Sequence, residues 1–177
     1  MSENLPNPPF AHLRLHTEFS INDGIVTIKP LIARLRENSM PAVAITDLAN
    51  MFSLIKFYTA SLKAGIKPVC GCDVLVESDD GSKQTRLVLL VKSEAGYLSL
   101  TKLISELYTE NPSQSEPTVC KSKLAGRVDG LIALSGAQNS DIGVALLADE
   151  KDLAKELLAE WQQLFPENFY LELQRVG

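Results

Sequence analysis

Short apolar runs and amphipathic stretches alternate along the chain. Ala11–Leu15 reads as a strand. Ile28–Asn38 follows as a helix, with Thr27 as N-cap and Pro30 near the first turn, where a missing N–H costs little. Ala42–Ile45 is a continuous apolar run of the kind expected of a strand covered on both faces. Met51–Lys63 carries apolar residues at Phe52, Ile55, Tyr58 and Leu62, a helical stripe, and Gly65 is a natural C-cap. Lys67–Cys70 is a further strand. Asp73–Glu77 and Gln84–Val91 flank a polar stretch containing Asp80-Gly81, the signature of a hairpin.

Ser93 then caps a helix running to about Tyr108, and Asn111–Pro117, rich in proline and serine, is a loop. Gly130–Leu134 is another buried strand ending in Ser135-Gly136. Asp141–Ala148 and Asp152–Phe165 are helices, the second amphipathic through Leu153, Leu157, Trp161 and Leu164. Pro166 ends it, and Phe169–Leu173 starts one more strand. Strands alternating with helices, with one hairpin inserted, call for an α/β fold with a mainly parallel sheet. No helix follows Leu173 to cover the last strand, so a closed barrel built this way is expected to be incomplete within these residues.

Composition narrows the picture. A chain of 177 residues that is 45% hydrophobic can bury one substantial core, so residues 1–177 are expected to form one domain or part of one. The net charge of −5 argues against a free-standing nucleic-acid binder. Apolar runs such as Leu87–Val91 are strand-sized and far short of a membrane span. The N-terminus lacks the basic-then-apolar pattern of a secretory signal, and an odd count of three cysteines fits free thiols in a reducing cytoplasm. Cys70-Gly71-Cys72 lacks partners for a zinc site, since only two histidines exist and Cys120 is remote. The pair reads as small apolar side chains at a strand end.

In α/β sheets function gathers where strands end. The polar residues at those ends are His16, Asp23, Asp47, Asp73 and Ser135. Histidines and aspartates in facing loops suit a hydrolytic metal centre that activates water and holds a phosphoester. Positions 12, 14 and 16 of a strand share a face, which would put a ligand pair at 14 and 16 at the mouth, with His12 too far back. Position 14 is an arginine, which stays protonated and cannot ligate. Two readings stand: Arg14 pairs with Asp23 or Asp73 and braces the loops, or some metal binding survives.

His12-Leu13-Arg14-Leu15-His16-Thr17, Phe19-Ser20 and Asp23-Gly24 resemble the first motif of the PHP (polymerase and histidinol phosphatase) domain family. Thr46-Asp47, Phe57-Tyr58, Gly65-Ile66-Lys67-Pro68 and Leu134-Ser135-Gly136 follow in that family's order. The resemblance covers nearly the whole chain and is strongest to the PHP domain at the N-terminus of bacterial replicative DNA polymerase alpha subunits. It implies a distorted (β/α)7 barrel, incomplete here and carrying the inserted β-hairpin. Carried over by position, the family's metal ring falls on Arg14, His16, Asp23, Leu48, Asp73, Arg86 and Ala137. Arg14, Leu48, Arg86 and Ala137 have lost ligand chemistry, so no catalytic metal is expected in these residues.

The resemblance further implies a structural and docking role, with no catalytic residue of its own. The implied partners are a separate proofreading exonuclease subunit and the rest of the alpha subunit, with DNA met only through the full-length protein. The Mg²⁺ of DNA synthesis would belong to a palm domain further along. The rival reading is a metal-dependent PHP-type phosphoesterase, against which Arg14, Leu48 and Arg86 speak. A decayed fragment with no role of its own is a third.

Overall fold

The computed structural model describes residues 10–21, 23–78, 81, 83–110 and 117–174. Within them lie six strands: β1 (Ala42–Ile45), β2 (Lys67–Glu77), β3 (Gln84–Val91), β4 (Thr118–Cys120), β5 (Leu131–Leu134) and β6 (Phe169–Tyr170). Five α-helices accompany them: α1 (Ile28–Glu37), α2 (Leu54–Lys63), α3 (Glu94–Glu110), α4 (Asp141–Leu147) and α5 (Lys151–Leu164). The strands form one sheet in the order β1-β2-β3-β5-β6, with β4 also pairing β2.

The sheet is mixed. β1–β2, β2–β4 and β5–β6 are parallel, whereas β2–β3 and β3–β5 are antiparallel. The hairpin expected as an insertion is therefore the centre of the sheet. Leu87, Val88, Leu89 and Leu90 explain this, because a strand apolar on both faces needs cover on both. Lys67–Cys70 and Asp73–Glu77 are one continuous strand, with Gly71 at its middle. A Cβ there would lie 2.6 Å from the Leu89 carbonyl oxygen, closer than the adjacent strand permits. The turn itself, at Asp79, Asp80 and Ser82, lies outside the described residues, as do Asn22 and residues 111–116 of the expected loop.

Alternation in the strands sorts the core into layers. Cys72, Val74, Val76, Leu87 and Leu89 face Leu100, Leu103 and Leu107 of α3 and Trp161 and Phe165 of the α5 end. Val43 and Ile45 of β1 pack against Ile28, Leu31, Ile32 and Leu35 of α1 and Phe57 of α2. The opposite face of the sheet carries a smaller cluster, Ala44, Val88, Leu90 and Leu134.

Several expectations need correction. Ala11–Leu15 is not a regular strand: it runs along β1, bonded through Ala44 N–H to His12 O (2.7 Å) and Thr46 N–H to Leu15 O (2.9 Å), but bends at Leu13. Thr27 stands at the N-cap of α1 without a side-chain bond to the helix, while Ser93 and Ser140 do accept the N–H groups of Gly96 and Gly143. The strand after Pro166 is only two residues long, and β4 lies in a segment for which no strand was expected. In α2 the buried face is Leu54, Phe57 and Ser61; of the expected stripe, Ile55, Tyr58 and Leu62 face outward, and Phe52, also exposed, lies in the turn before the helix.

Candidate functional site

Five of the expected residues come together, although Asp73, expected at a strand end, lies inside β2 because Lys67–Glu77 is continuous, and Arg86 lies inside β3. Asp73 sits in β2 on the side facing away from α3, fully buried, and its Oδ2 is the focus of the cluster. Arg14 donates to it from Nη2 (2.6 Å) and Nε (3.0 Å), a two-pronged contact suited to the planar guanidinium. His16 Nε2 lies 2.9 Å from the same oxygen, and Arg86 Nη1 lies 3.4 Å away. Asp23 closes the outer side, with His16 Nδ1 at 3.0 Å and Arg86 Nη2 at 3.3 Å.

A sixth residue completes the group. Glu172, just past β6, accepts from Arg14 Nη1 at 3.3 Å. Ser135 at the end of β5 holds that segment in place: its hydroxyl accepts the Glu172 N–H at 3.0 Å, and its own N–H donates to Tyr170 O. Glu172 was missed by the sequence reading, although a polar residue at the end of an apolar strand is the signal that flagged the others.

Charge accounting gives the cluster its character. Two guanidiniums face three carboxylates, and a protonated His16 would make the count three against three. Burial by itself would lower the His16 pKa, but Asp73 and Asp23, one on each ring nitrogen, outweigh it and raise it above the ordinary value. Arg14 behaves alike: burial pulls its pKa down, and Asp73 with Glu172 pulls it up further. An imidazole flanked by carboxylates on both nitrogens is a double donor, which requires the protonated form.

The remaining candidates stand apart. Asp47 is buried and serves as a hub for its own loop, accepting from Thr17 N–H (2.6 Å), Thr17 Oγ1 (2.8 Å), Ser20 Oγ (2.9 Å) and Ser53 Oγ (2.5 Å). It thereby ties the loop after His16 to the start of α2. Leu48 pairs through its backbone with Asp73, and its N–H donates to Ser20 Oγ. Ala137 lies in a 3-10 turn, where its carbonyl accepts from Ser140 Oγ. His12 is exposed, edge-on to Phe10 with ring centroids 5.0 Å apart. Cys72 is buried, its thiol donating toward Asp47 O (3.3 Å) and its pKa pushed up by burial; Cys70 is half-buried.

The donor set does not fit a divalent ion. Asp73 Oδ1 is buried and has no hydrogen-bond partner among the described residues, so one carboxylate oxygen could accept another contact. Its other oxygen, however, is held by two guanidiniums and an imidazole, and neither Leu48 nor Ala137 supplies a donor side chain. Cations placed where ligands would be needed repel a metal ion. Among the described residues no group of three or more histidine, cysteine, aspartate or glutamate side chains is arranged to hold one.

These features, a polar cluster on one face of a mixed α/β sheet, accord with the family comparison. Residues 12–176 match the PHP domain family, and the chain belongs to it. Its relatives are more specific still. It is 47% identical over 169 residues to DNA polymerase III subunit alpha of Pseudomonas aeruginosa, covering 95% of this chain and 14% of that protein. Against the same subunit of Escherichia coli K12 it is 38% identical over 174 residues, 98% of this chain and 15% of the relative. The chain thus spans about one-seventh of the length of the curated relatives it matches. Among solved structures, an amidohydrolase from Chromobacterium violaceum with bound sulfate and no metal aligns at 22% identity and a TM-score of 0.46, over 58% of this chain and 34% of that one. That likeness is too slight to bear on chemistry. No helix of the described residues is long and apolar enough to cross a membrane.

Proposed function

We propose that this chain is the PHP region of a bacterial replicative DNA polymerase alpha subunit, acting as a structural and docking module. In this reading salt bridges stand where other members of the family would hold metal ions. The observation that carries it is the convergence of Arg14, Arg86 and His16 on Asp73 Oδ2, where two guanidiniums and an imidazole offset a buried carboxylate charge. Identity to polymerase alpha subunits over 95–98% of the chain supports the parent protein. The six-stranded sheet is then part of a distorted (β/α)7 barrel whose closure uses polypeptide beyond these residues. DNA synthesis, with its Mg²⁺, belongs to a palm domain elsewhere in that polypeptide, in the cytoplasm. The net charge of −5 favours protein partners, the proofreading exonuclease and the rest of the alpha subunit, over direct DNA binding.

Two measurements test this. Elemental analysis of the purified chain is expected to find less than one zinc, manganese or iron per molecule; two or three tightly held ions would restore the phosphoesterase reading. Titration of the complete PHP region at moderate salt should show association with the exonuclease subunit and weak DNA binding. Tight DNA binding without exonuclease association would defeat the docking role.

A further inference from the structure

Helix α2 is apolar on two adjacent faces, and the sheet uses only one. Leu54 and Phe57 are buried against it, whereas Phe52 is 68%, Ile55 74%, Leu62 55% and Tyr58 46% exposed. Ile55, Tyr58 and Leu62 follow at i, i+3 and i+7, so they form one continuous face of the helix. That face opens onto a groove of about 1480 Å³, where Ile55 and Tyr58 meet Pro68 of β2 and Tyr97 of α3. Contiguous exposed apolar surface of this kind marks an interaction site, whereas single exposed apolar residues do not.

The surroundings specify the occupant. Lys56 and Lys63 flank the face on α2, and Arg14, Lys67 and Lys92 line the groove, against two carboxylates there, Glu94 and Glu172. This concentration of positive charge lies in a chain whose net charge is −5. An apolar floor with a lysine border fits an apolar segment flanked by acidic residues. The aliphatic share of the floor, Leu54, Ile55 and Pro68, favours protein over nucleic-acid bases, which stack on aromatic rings. We infer that the outer face of α2 is the seat of an acid-flanked apolar segment from the same polymerase polypeptide, the 85% or so of its length that lies beyond the region matched here. The inference rests on the polymerase reading proposed above.

The test uses the full-length polypeptide that carries this sequence. Hydroxyl-radical footprinting would measure labelling of Phe52, Ile55, Tyr58 and Leu62, each normalised to its own rate in concentrated urea. Labelling several-fold slower in the folded polypeptide alone is the expected result. A paired variant, Ile55→Ser with Leu62→Ser, alters side chains that face outward here and should restore labelling at Phe52 and Tyr58. Free labelling in the folded polypeptide would overturn the inference. So would protection that appears only when primed DNA is added, or only when the exonuclease subunit is added. Primer extension by the same preparation judges the polymerase reading separately: extension with an unprotected face sinks only the docking, and protection without extension sinks only the polymerase assignment.

Discussion

Replacing Arg14 by methionine removes a charge while keeping most of the side chain's length. In the native cluster Arg14 makes two close contacts to Asp73 Oδ2, a carboxylate that is 0% exposed, and is itself 13% exposed. Stripping a partner from a buried charge typically costs about 3–5 kcal/mol. Asp73 would still have His16 at 2.9 Å and Arg86 at 3.4 Å, so the lower end of that range, roughly 3 kcal/mol, is expected. For a chain of this size that corresponds to a fall in Tm of roughly 6–12 °C. Urea unfolding followed by far-UV circular dichroism and by fluorescence of the single, buried Trp161 would measure it. A double-mutant cycle with Asp73→Asn isolates the pair, with a coupling of about 2 kcal/mol expected. A loss below about 1 kcal/mol, the level of exposed surface pairs, would show that solvent screens the cluster and refute the reasoning.

The His16 pKa is raised on folding, so its stabilising contribution is fully present below the unfolded value of about 6.5 and is lost as pH rises through the folded value. The stability gap between the native chain and His16→Asn should therefore narrow as pH rises from about 6.5 through the folded value, and a constant gap would count against the doubly donating imidazolium. Asp47→Asn swaps a carboxylate that accepts from Thr17, Ser20 and Ser53 for an amide that must turn a donor toward them. Denaturant titration should show a loss of roughly 2–3 kcal/mol, with earlier proteolytic cleavage near Thr17–Ile21; unchanged stability would remove Asp47 as the loop's anchor. Gly96→Ala would drive a Cβ into the Gly130 carbonyl and should cost about 1–3 kcal/mol. Gly65→Ala, at φ 72° with open space around it, should cost only about 1 kcal/mol of backbone strain, and thermal melts of the two variants would expose a reversal of that order.

Local pattern was enough for elements whose signals are local. Ile28, Leu31, Ile32 and Leu35 recur at helical spacing, and the buried face of α1 is the one they define. The apolar run at Ala42–Ile45 and the serine before α3 likewise state their own roles. The rule that polar residues gather at strand ends picked out His16, Asp23 and Asp73 before any contact between them was known, strand alternation put Arg14 beside His16, and the family resemblance added Arg86. What the chain could not display locally was which of two apolar faces meets the sheet. In α2 both Leu54–Phe57 and Ile55–Tyr58–Leu62 satisfy a helical period, and only packing against Val43 and Ile45 selects the first. β4, three residues long, exists because Leu75, Val76 and Glu77 present an unpaired edge to Thr118–Cys120. Asp47 and Asp73 were both expected at strand ends and so were indistinguishable by position, although Asp73 in fact lies inside the continuous β2. One is surrounded by hydroxyls and the other by cations, because partners from 13 to 59 residues away in sequence converge on Asp73. A periodicity records which residues are apolar, but a buried charge takes its meaning from neighbours that only the folded sheet brings within hydrogen-bonding distance.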